Sequence, residues 1–354
     1  MIEIVCAFIN AFLLTFLVIP AIIKASRTRG LLEEAVDHRI HTVPIPTFGG
    51  LGIFIGAFFS ILLWTPYHYS ENYQYILSAL LIILLIGAKD DLVPMAPYKK
   101  LLGEIFACLL LIVMADIRLT SMYGVFGIAD LSYINSVLLT LFTMVVIINA
   151  FNLIDGINGL SGSVSTLVAG FFGVWFMLVG RIELAIISLS LAGSMIAFLK
   201  YNVTPAKIYM GDTGSLMTGA IMSILAVSFI EQHNVIAHSV YAFASAPAVA
   251  FSLLVLPLFD TLRVFAIRVL KGSSPFTPDR NHVHHLLLDA GMNHSQAVTV
   301  LLAFNVSAFL LVVNIQHFNT LLIIGVLVCI SFILTLLLKR ATIAKKSFSP
   351  KVIQ

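Results

Sequence analysis

The chain is short of charge. Only 10% of its 354 residues are Asp, Glu, Lys or Arg, while 60% are hydrophobic, against roughly 25% charged in an average soluble domain. That shortage excludes an ordinary soluble enzyme. No polar stretch of domain length separates the apolar runs, so a single membrane-embedded domain over 1–354 is expected. Cysteine is scarce too: Cys6, Cys108 and Cys329 lie far apart inside apolar runs, which excludes a disulfide framework and any cysteine-based metal site. The amino-terminal run has no basic residue before it and no small-residue cleavage site after it, so a removable signal peptide is not expected. The net charge of +3 forms no basic patch of the kind nucleic acid needs, and no nucleic-acid partner is expected.

What the chain does have is a train of apolar runs. They centre on Leu14, Gly56, Ile82, Leu110, Val145, Phe171, Leu191, Ile224, Val249, Phe309 and Val328, each near the roughly 17–25 residues that a membrane-crossing helix needs. An all-α, polytopic membrane protein of about eleven transmembrane helices is predicted. The connections fall into two sets. Of the 20 Lys and Arg, all but Arg118 and Arg181 belong to one set, and the positive-inside rule makes that side cytoplasmic, with the amino terminus outside and the carboxyl terminus inside. No internal repeat or low-complexity segment is visible. The basic tail from Lys339 reads as a juxtamembrane end able to touch anionic lipid.

The basic side also holds nearly all the polar chemistry, in five loops: "HRIHTVPIPTFGG" (38–50), "KDDLVPMAPYKKLLGE" (89–104), "NAFNLIDGINGLSG" (149–162), "KIYMGDTGS" (207–215) and "SPFTPDRNHVHHLLLDAG" (274–291). Asp90 and Asp91 end a helix side by side, where adjacent carboxylates repel unless a cation compensates. They read as a base or Mg²⁺ ligand beside Lys99 and Lys100, or equally as a solvated helix end. Asp212 sits between two glycines in a turn opening a helix, where backbone N–H groups and a carboxylate could receive a phosphate and its metal. Its glycines read as well as close helix packing, since Gly211, Ser215 and Gly219 fall four apart.

Asn149, Asn152 and Asp155 recur every three residues at one helix end, with Gly156 and Gly159 breaking the helix after them. Amides and a carboxylate so placed can bind a nucleobase or ribose or complete a magnesium shell. A plain polar turn is the weaker reading, because amides at a membrane edge are costly without partners. In the last loop Pro275 and Pro278 forbid helix and Asp279 can cap a new one carrying His282, His284 and His285 before Gly291 stops it. Imidazoles with Arg280 suit a diphosphate; zinc competes, but no cysteine and only Asp289 supports it there. The first loop's Pro44, Pro46, Gly49 and Gly50 read as structural at least as readily as functional.

Taken together, residues 38 to 300 resemble the polyprenyl-phosphate N-acetylhexosamine-1-phosphate transferases (glycosyltransferase family 4), and among them the WecA-like branch that loads GlcNAc-1-phosphate onto undecaprenyl phosphate. "DD…PYKKLLGE", "NAFNLIDG" and "YMGDTGS" are similar to that family's motifs, and "HVHH" to the branch's H-x-H-H signature. The resemblance implies a Mg²⁺-dependent enzyme, with Mn²⁺ able to substitute. Asp90, Asp91 and Asp155 would be catalytic, and Asp212 with Asn152 would hold the metal. Lys100, Asn149, Asn152, Asn158, Tyr209, Arg280, His282, His284 and His285 would bind substrate, with Tyr209 stacking on uracil. The implied partners are a UDP-N-acetylhexosamine, undecaprenyl phosphate and membrane lipid, with a homodimer as one assembly. The implied location is the bacterial inner membrane, with the site on its cytoplasmic face, feeding cell-envelope polysaccharide synthesis. One departure stands out: many members read D-G-x-D-G where this chain has Asn158 for the second acid. The chain also lacks the P-x-H-H-H pattern of the MraY branch, which argues against UDP-MurNAc-pentapeptide as donor.

Two other classes compete. A secondary transporter should place its coupling acids near the bilayer midplane, whereas the acids here are expected at or close to helix ends. A catalytically dead lipid-binding relative is opposed by the intact Asp90, Asp91 and Asp212.

Overall fold

The computed structural model describes residues 1–30, 45–66, 72–272 and 281–348, the side chains of 341 and 343–348 excepted. Thirteen α-helices follow one another among these residues: α1 Ile2–Arg29, α2 Gly49–Trp64, α3 Tyr73–Leu92, α4 Pro97–Leu109, α5 Tyr133–Ile154, α6 Leu160–Leu178, α7 Ile182–Asn202, α8 Gly211–Val235, α9 Ala246–Leu253, α10 Val255–Leu270, α11 Val283–Asp289, α12 His294–Ile315 and α13 Thr320–Phe348. A π-helical turn, Leu110–Met114, extends α4. No strand occurs among the described residues; Ser121 and Asp130 form an isolated bridge.

All eleven apolar centres expected from the sequence fall in helix. Seven helices (α1, α5, α6, α7, α8, α12 and α13) are each long and apolar enough to cross a membrane, and α9 with α10 makes an eighth if that bent pair is one span. The chain is a multi-pass membrane protein. Exposed Leu, Ile, Val and Phe side chains line the outer faces of α1, α5 and α13, where lipid rather than water is the solvent.

At the centre lies α8, buried along nearly its whole length. Small residues let three neighbours reach its backbone, as membrane helices do where no hydrophobic force drives them together. A Cβ on Gly50 (α2) would overlap the Gly214 backbone, one on Gly87 (α3) would lie 2.5 Å from Thr213 Cα, and one on Gly219 (α8) 2.6 Å from Ile148 Cα in α5. Close packing therefore explains Gly219, one of the glycines for which the sequence offered two readings.

Two prolines inside helices each free a carbonyl, and each carbonyl finds a partner on another helix. Pro257 in α10 leaves the Leu253 oxygen without its usual donor, and the Asn305 amide of α12 donates to it at 3.1 Å. The chain bends by 79° there, between α9 and α10. Pro20 in α1 frees the Phe16 oxygen, which accepts from the Tyr201 hydroxyl of α7 at 3.1 Å.

Candidate active site

The site begins with two carboxylates in the last turn of α3. Both oxygens of Asp91 turn onto the first turn of α8: Oδ1 accepts from the Asp212 N–H at 2.7 Å, and Oδ2 accepts from the Thr213 N–H at 2.9 Å and from its hydroxyl. Asp91 thus caps α8 from another helix, satisfying donors that a helix start leaves orphaned and placing negative charge at its positive end. Gly211 opens α8 at φ +71°, and a side chain there would collide with the Thr47 carbonyl and the Asp91 carboxylate. The glycine is required on both counts.

Asp90 faces the other way. Its Oδ1 accepts from the Met95 N–H at 2.6 Å, and its Oδ2 lies 3.1 Å from the Lys100 ammonium, which is also 3.1 Å from Asp212 Oδ1. The Asn152 amide donates to that same Asp212 oxygen and, at 2.8 Å, to the Ser215 hydroxyl. Loops two, three and four of the sequence therefore converge on Asp212. The first joins through its backbone: Tyr209 N donates to Pro46 O at 2.8 Å, and Gly49 N donates to Tyr209 O at 2.9 Å.

Two cavities meet at Asn152, Asp155 and Gly156. One, of about 430 Å³, is lined by Asp91, Asn158, Tyr209, Asp212 and His294 among others. The second, of about 370 Å³, holds Asp90, Lys100, Glu104, Asn149, Arg268 and the three histidines, with Leu101, Leu153 and Phe265. Asp155 stands at the junction as the carboxyl-terminal cap of α5. Burial pushes its carboxyl well above the usual carboxylate range, and the charges of Asp212 and Asp91 push the same way.

The histidines hang on an acid that the sequence reading left out. Asp260 Oδ2 lies 2.8 Å from His282 Nδ1, while its Oδ1 accepts from the Val283 N–H at 3.0 Å and from Arg263 at 2.8 Å. Helix α11 therefore starts at Val283 with His282 as its N-cap. Asp279, expected to cap it, lies outside the described residues, as do Arg280, Pro44, Pro275 and Pro278. The His282 and His284 rings stack with centroids 5.4 Å apart, and His285 is 4.4 Å from His284. Burial, aided by His285 and His282 and opposed by Asp260, pushes the His284 imidazole down to about 3, so it is neutral at pH 7. Its Nε2 meets Gly156 so closely that a Cβ there would overlap the ring. Asn158 donates its N–H to His294 Nδ1 at 3.3 Å and its side-chain amide to the Thr204 hydroxyl at 3.5 Å.

Two acids correct the expectation that acids lie at helix ends. Glu104 is fully buried two turns into α4 and accepts from the Asn149 amide at 2.5 Å; Asp260 is buried mid-helix in α10. Both belong to the same polar cluster as the helix-end acids. Arg268, buried and lining the second cavity, and His294 in the first were likewise missed. An isolated charge within an apolar helix is the signal that marks Glu104, Asp260 and Arg268. Nothing in the sequence marks His294.

Residues 73–230, from the start of α3 nearly to the end of α8, match the family model described as glycosyl transferase family 4. Similar proteins include a probable undecaprenyl-phosphate N-acetylglucosaminyl 1-phosphate transferase of Bacillus subtilis (strain 168), 28% identical over 88% of this chain and 86% of the relative. A decaprenyl-phosphate N-acetylglucosaminephosphotransferase of Mycobacterium leprae (strain TN) is 30% identical over 75% of this chain and 72% of its own. An undecaprenyl-phosphate alpha-N-acetylglucosaminyl 1-phosphate transferase of Haemophilus influenzae (strain ATCC 51907 / DSM 11121 / KW20 / Rd) is 30% identical over 84% and 81%. The matched segment carries Asp90, Asp91, Lys100, Asn152, Asp155 and Asp212, the residues that frame the junction of the two cavities, and the chain belongs to glycosyl transferase family 4.

Proposed function

We propose that this protein transfers GlcNAc-1-phosphate from UDP-GlcNAc to undecaprenyl phosphate, forming a polyprenyl-diphosphate sugar and releasing UMP, the first step of a cell-envelope polysaccharide. The observation that carries the reading is the pair of cavities joined at Asn152 and Asp155, one walled by Asp212 and Tyr209 and the other by Asp90 and Lys100. Two substrates that must meet phosphate to phosphate need such a junction. The similar proteins with this activity support the choice of substrates.

In this reading the uridine lies in the first cavity, against Tyr209 and Asn158, with its diphosphate reaching the junction. The lipid phosphate enters the second, past Leu101, Leu153 and Phe265. Its oxygen attacks the sugar-bound phosphorus of the UDP-sugar, the P–O–P bond breaks, and UMP leaves. A phosphomonoester is already largely dianionic near neutral pH, so Asp90 orients it and takes any residual proton. Lys100, Arg268 and Arg280 offset the negative charge that accumulates, and the histidines line the cavity beside it.

Among the described residues no three of His, Cys, Asp and Glu converge as a metal-ligand set, but Mg²⁺ commonly takes one or two carboxylates and completes its shell with substrate phosphates and water. Asp212 and Asn152 fit it: Asp90, Asp91 and Asp155 crowd around them, and among the described residues Lys100 is the cation paired with Asp90 and Asp212. When bound there, Mg²⁺ or Mn²⁺ would neutralise the diphosphate. Asp212 and Asn152 would hold it, and Asp155 lines the same junction.

The membrane frame of the proposal is eleven crossings in a bacterial inner membrane, with the amino terminus outside, the site at the cytoplasmic face, and a homodimer as the candidate assembly. The deciding assay measures UMP release by purified protein in detergent against a panel of UDP-sugars, with undecaprenyl phosphate and Mg²⁺. Turnover with UDP-GlcNAc, abolished by chelation and restored by Mg²⁺ or Mn²⁺, is expected. Exclusive use of UDP-MurNAc-pentapeptide would overturn the donor. Absence of release from every UDP-sugar would overturn the transfer reading.

A further inference from the structure

A third cavity, of about 410 Å³, shares no residue with the two that form the candidate active site. It lies between the carboxyl-terminal end of α1 and the end of α7. Its walls are Pro20, Ile23, Thr28, Tyr201 and three cations, Lys24, Arg27 and Lys207. Lys200 stands beside it, with its ammonium 4.6 Å from the centre of the Phe16 ring. The Phe16 ring in turn lies 5.9 Å from that of Tyr201. Lys24, Arg27, Lys200 and Lys207 are all exposed, and among the described residues none of them makes an ion pair. Four like charges with no acid paired to them among the described residues repel one another unless an anion lies between them.

The rest of α1 indicates where that anion comes from. Ile9, Leu13 and Leu17 are exposed apolar residues four apart, and Pro20, Lys24 and Arg27 continue the same stripe at helical spacing. From Leu17 to Lys24 the helix rises about 10 Å. A lipid lying against this face would place its acyl chains along Ile9 to Leu17 and its headgroup among the cations. Basic pockets between helices at the cytoplasmic surface are suited to anionic headgroups.

We propose that this cavity binds the phosphate headgroup of an anionic membrane phospholipid. The site stands on the membrane reading of the fold and is independent of the transfer chemistry. It has a structural link to that chemistry nonetheless. Lys207 donates its N–H to Tyr201 O at 2.8 Å and lies in the 203–210 connection, two residues before Tyr209 and five before Asp212. A headgroup held by Lys24, Arg27 and Lys207 ties α1 to the segment that carries the wall of the first cavity.

The test uses the full chain in nanodiscs containing either phosphatidylglycerol or phosphatidylcholine, each bearing the same photoreactive acyl chain. Peptides covering 9–17 and 196–207 should be labelled by phosphatidylglycerol, and Lys24→Gln/Arg27→Gln/Lys207→Gln should lower that labelling about 10-fold. Phosphatidylcholine should label weakly and equally in both proteins. A Lys24→Arg/Lys207→Arg variant should keep wild-type labelling, which separates lost charge from lost fold. Equal labelling by the two lipids, or no effect of the triple substitution, would overturn the proposal. Displacement by excess inorganic phosphate would reassign the cavity to a soluble anion, and displacement by undecaprenyl phosphate would make it an acceptor dock; either result overturns the phospholipid assignment.

Discussion

Lys100 stands equidistant from two carboxylates of different helices, 3.1 Å from Asp90 Oδ2 and 3.1 Å from Asp212 Oδ1. One ammonium thus joins α3, α4 and α8 at the point where the two cavities adjoin. The pair is mostly buried, so solvent screening is weak and removal of the cation leaves two carboxylates facing each other. Lys100→Gln is expected to lower turnover by about 100-fold or more, with Lys100→Arg recovering part of it. Steady-state UMP release from the two variants checks this, and near-normal turnover in Lys100→Gln would remove the residue from the mechanism.

Asp91 offers a contrast with its neighbour, since both of its oxygens are spent on the first turn of α8. Its loss should appear first as instability. Asp91→Ala should cost about 1–2 kcal/mol, the usual range for a helix cap, and Asp91→Asn less, because the amide oxygen still accepts one of the two N–H groups. Thermal unfolding in detergent measures both. If Asp91→Ala unfolds like the wild type while turnover collapses, the carboxylate acts on substrate and the capping account is wrong.

How much of this was readable in advance depended on where each partner lies. Asn152, Asp155 and Asp212 stand out because polar residues interrupt apolar runs, and a polar group at a membrane edge needs a reason to be there. The division of labour between Asp90 and Asp91 was not readable. Adjacent residues on a helix point about 100° apart, and only the position of α8 decides which of them caps and which faces the cavity. Glu104 and Asp260 were passed over because their partners, Asn149 and His282, sit on other elements at separations no local pattern encodes. Pro257 announces a bend; that Asn305 takes the freed carbonyl does not follow from spacing.

His284 supplies a pH dependence with a definite sign. Its imidazole is held down to about 3 in the fold, against about 6.5 in an unfolded chain. As pH falls through 6.5 the unfolded state takes up a proton that the folded state refuses until about 3. In that window the unfolded state binds more protons, so stability falls with falling pH, by at most about 1.4 kcal/mol per pH unit from this group. The melting temperature should drop between pH 7 and pH 5, and His284→Asn should flatten the slope. An unchanged slope in the variant would show that the buried ring is not the source.

Asp260 acts through His282. Its carboxylate fixes the ring at Nδ1, so the opposite nitrogen is the one available to the cavity, and it caps α11 at the same time. Asp260→Asn preserves an acceptor for the Val283 N–H while weakening the grip on the imidazole. Its kcat should fall about 10–100-fold with KM for the UDP-sugar little changed. The double variant with His282→Asn should be no worse than His282→Asn alone. Additive losses would mean that Asp260 serves the fold and not the histidine.

The last question is whether the phosphate bond forms in one step or two. In a double displacement an aspartate would attack the UDP-sugar first, expel UMP and carry the sugar phosphate as an acyl phosphate until the lipid arrived. The surroundings of Asp90 disfavour that route. Oδ1 already accepts a 2.6 Å bond from the Met95 N–H, and Oδ2 faces the Lys100 ammonium. Both contacts stabilise the carboxylate and so lower its reactivity as a nucleophile. Asp91 is held by three donors of the first turn of α8, the Asp212 and Thr213 N–H groups and the Thr213 hydroxyl. An acyl phosphate would also have to survive in a cavity open to water. Direct attack by the lipid phosphate asks only that Asp90 hold and orient it. Rapid mixing of enzyme with UDP-sugar in the absence of lipid distinguishes the routes, because a covalent step must release UMP in proportion to enzyme. No burst is expected; a stoichiometric burst that disappears in Asp90→Asn would establish the covalent intermediate and sink the single-step scheme.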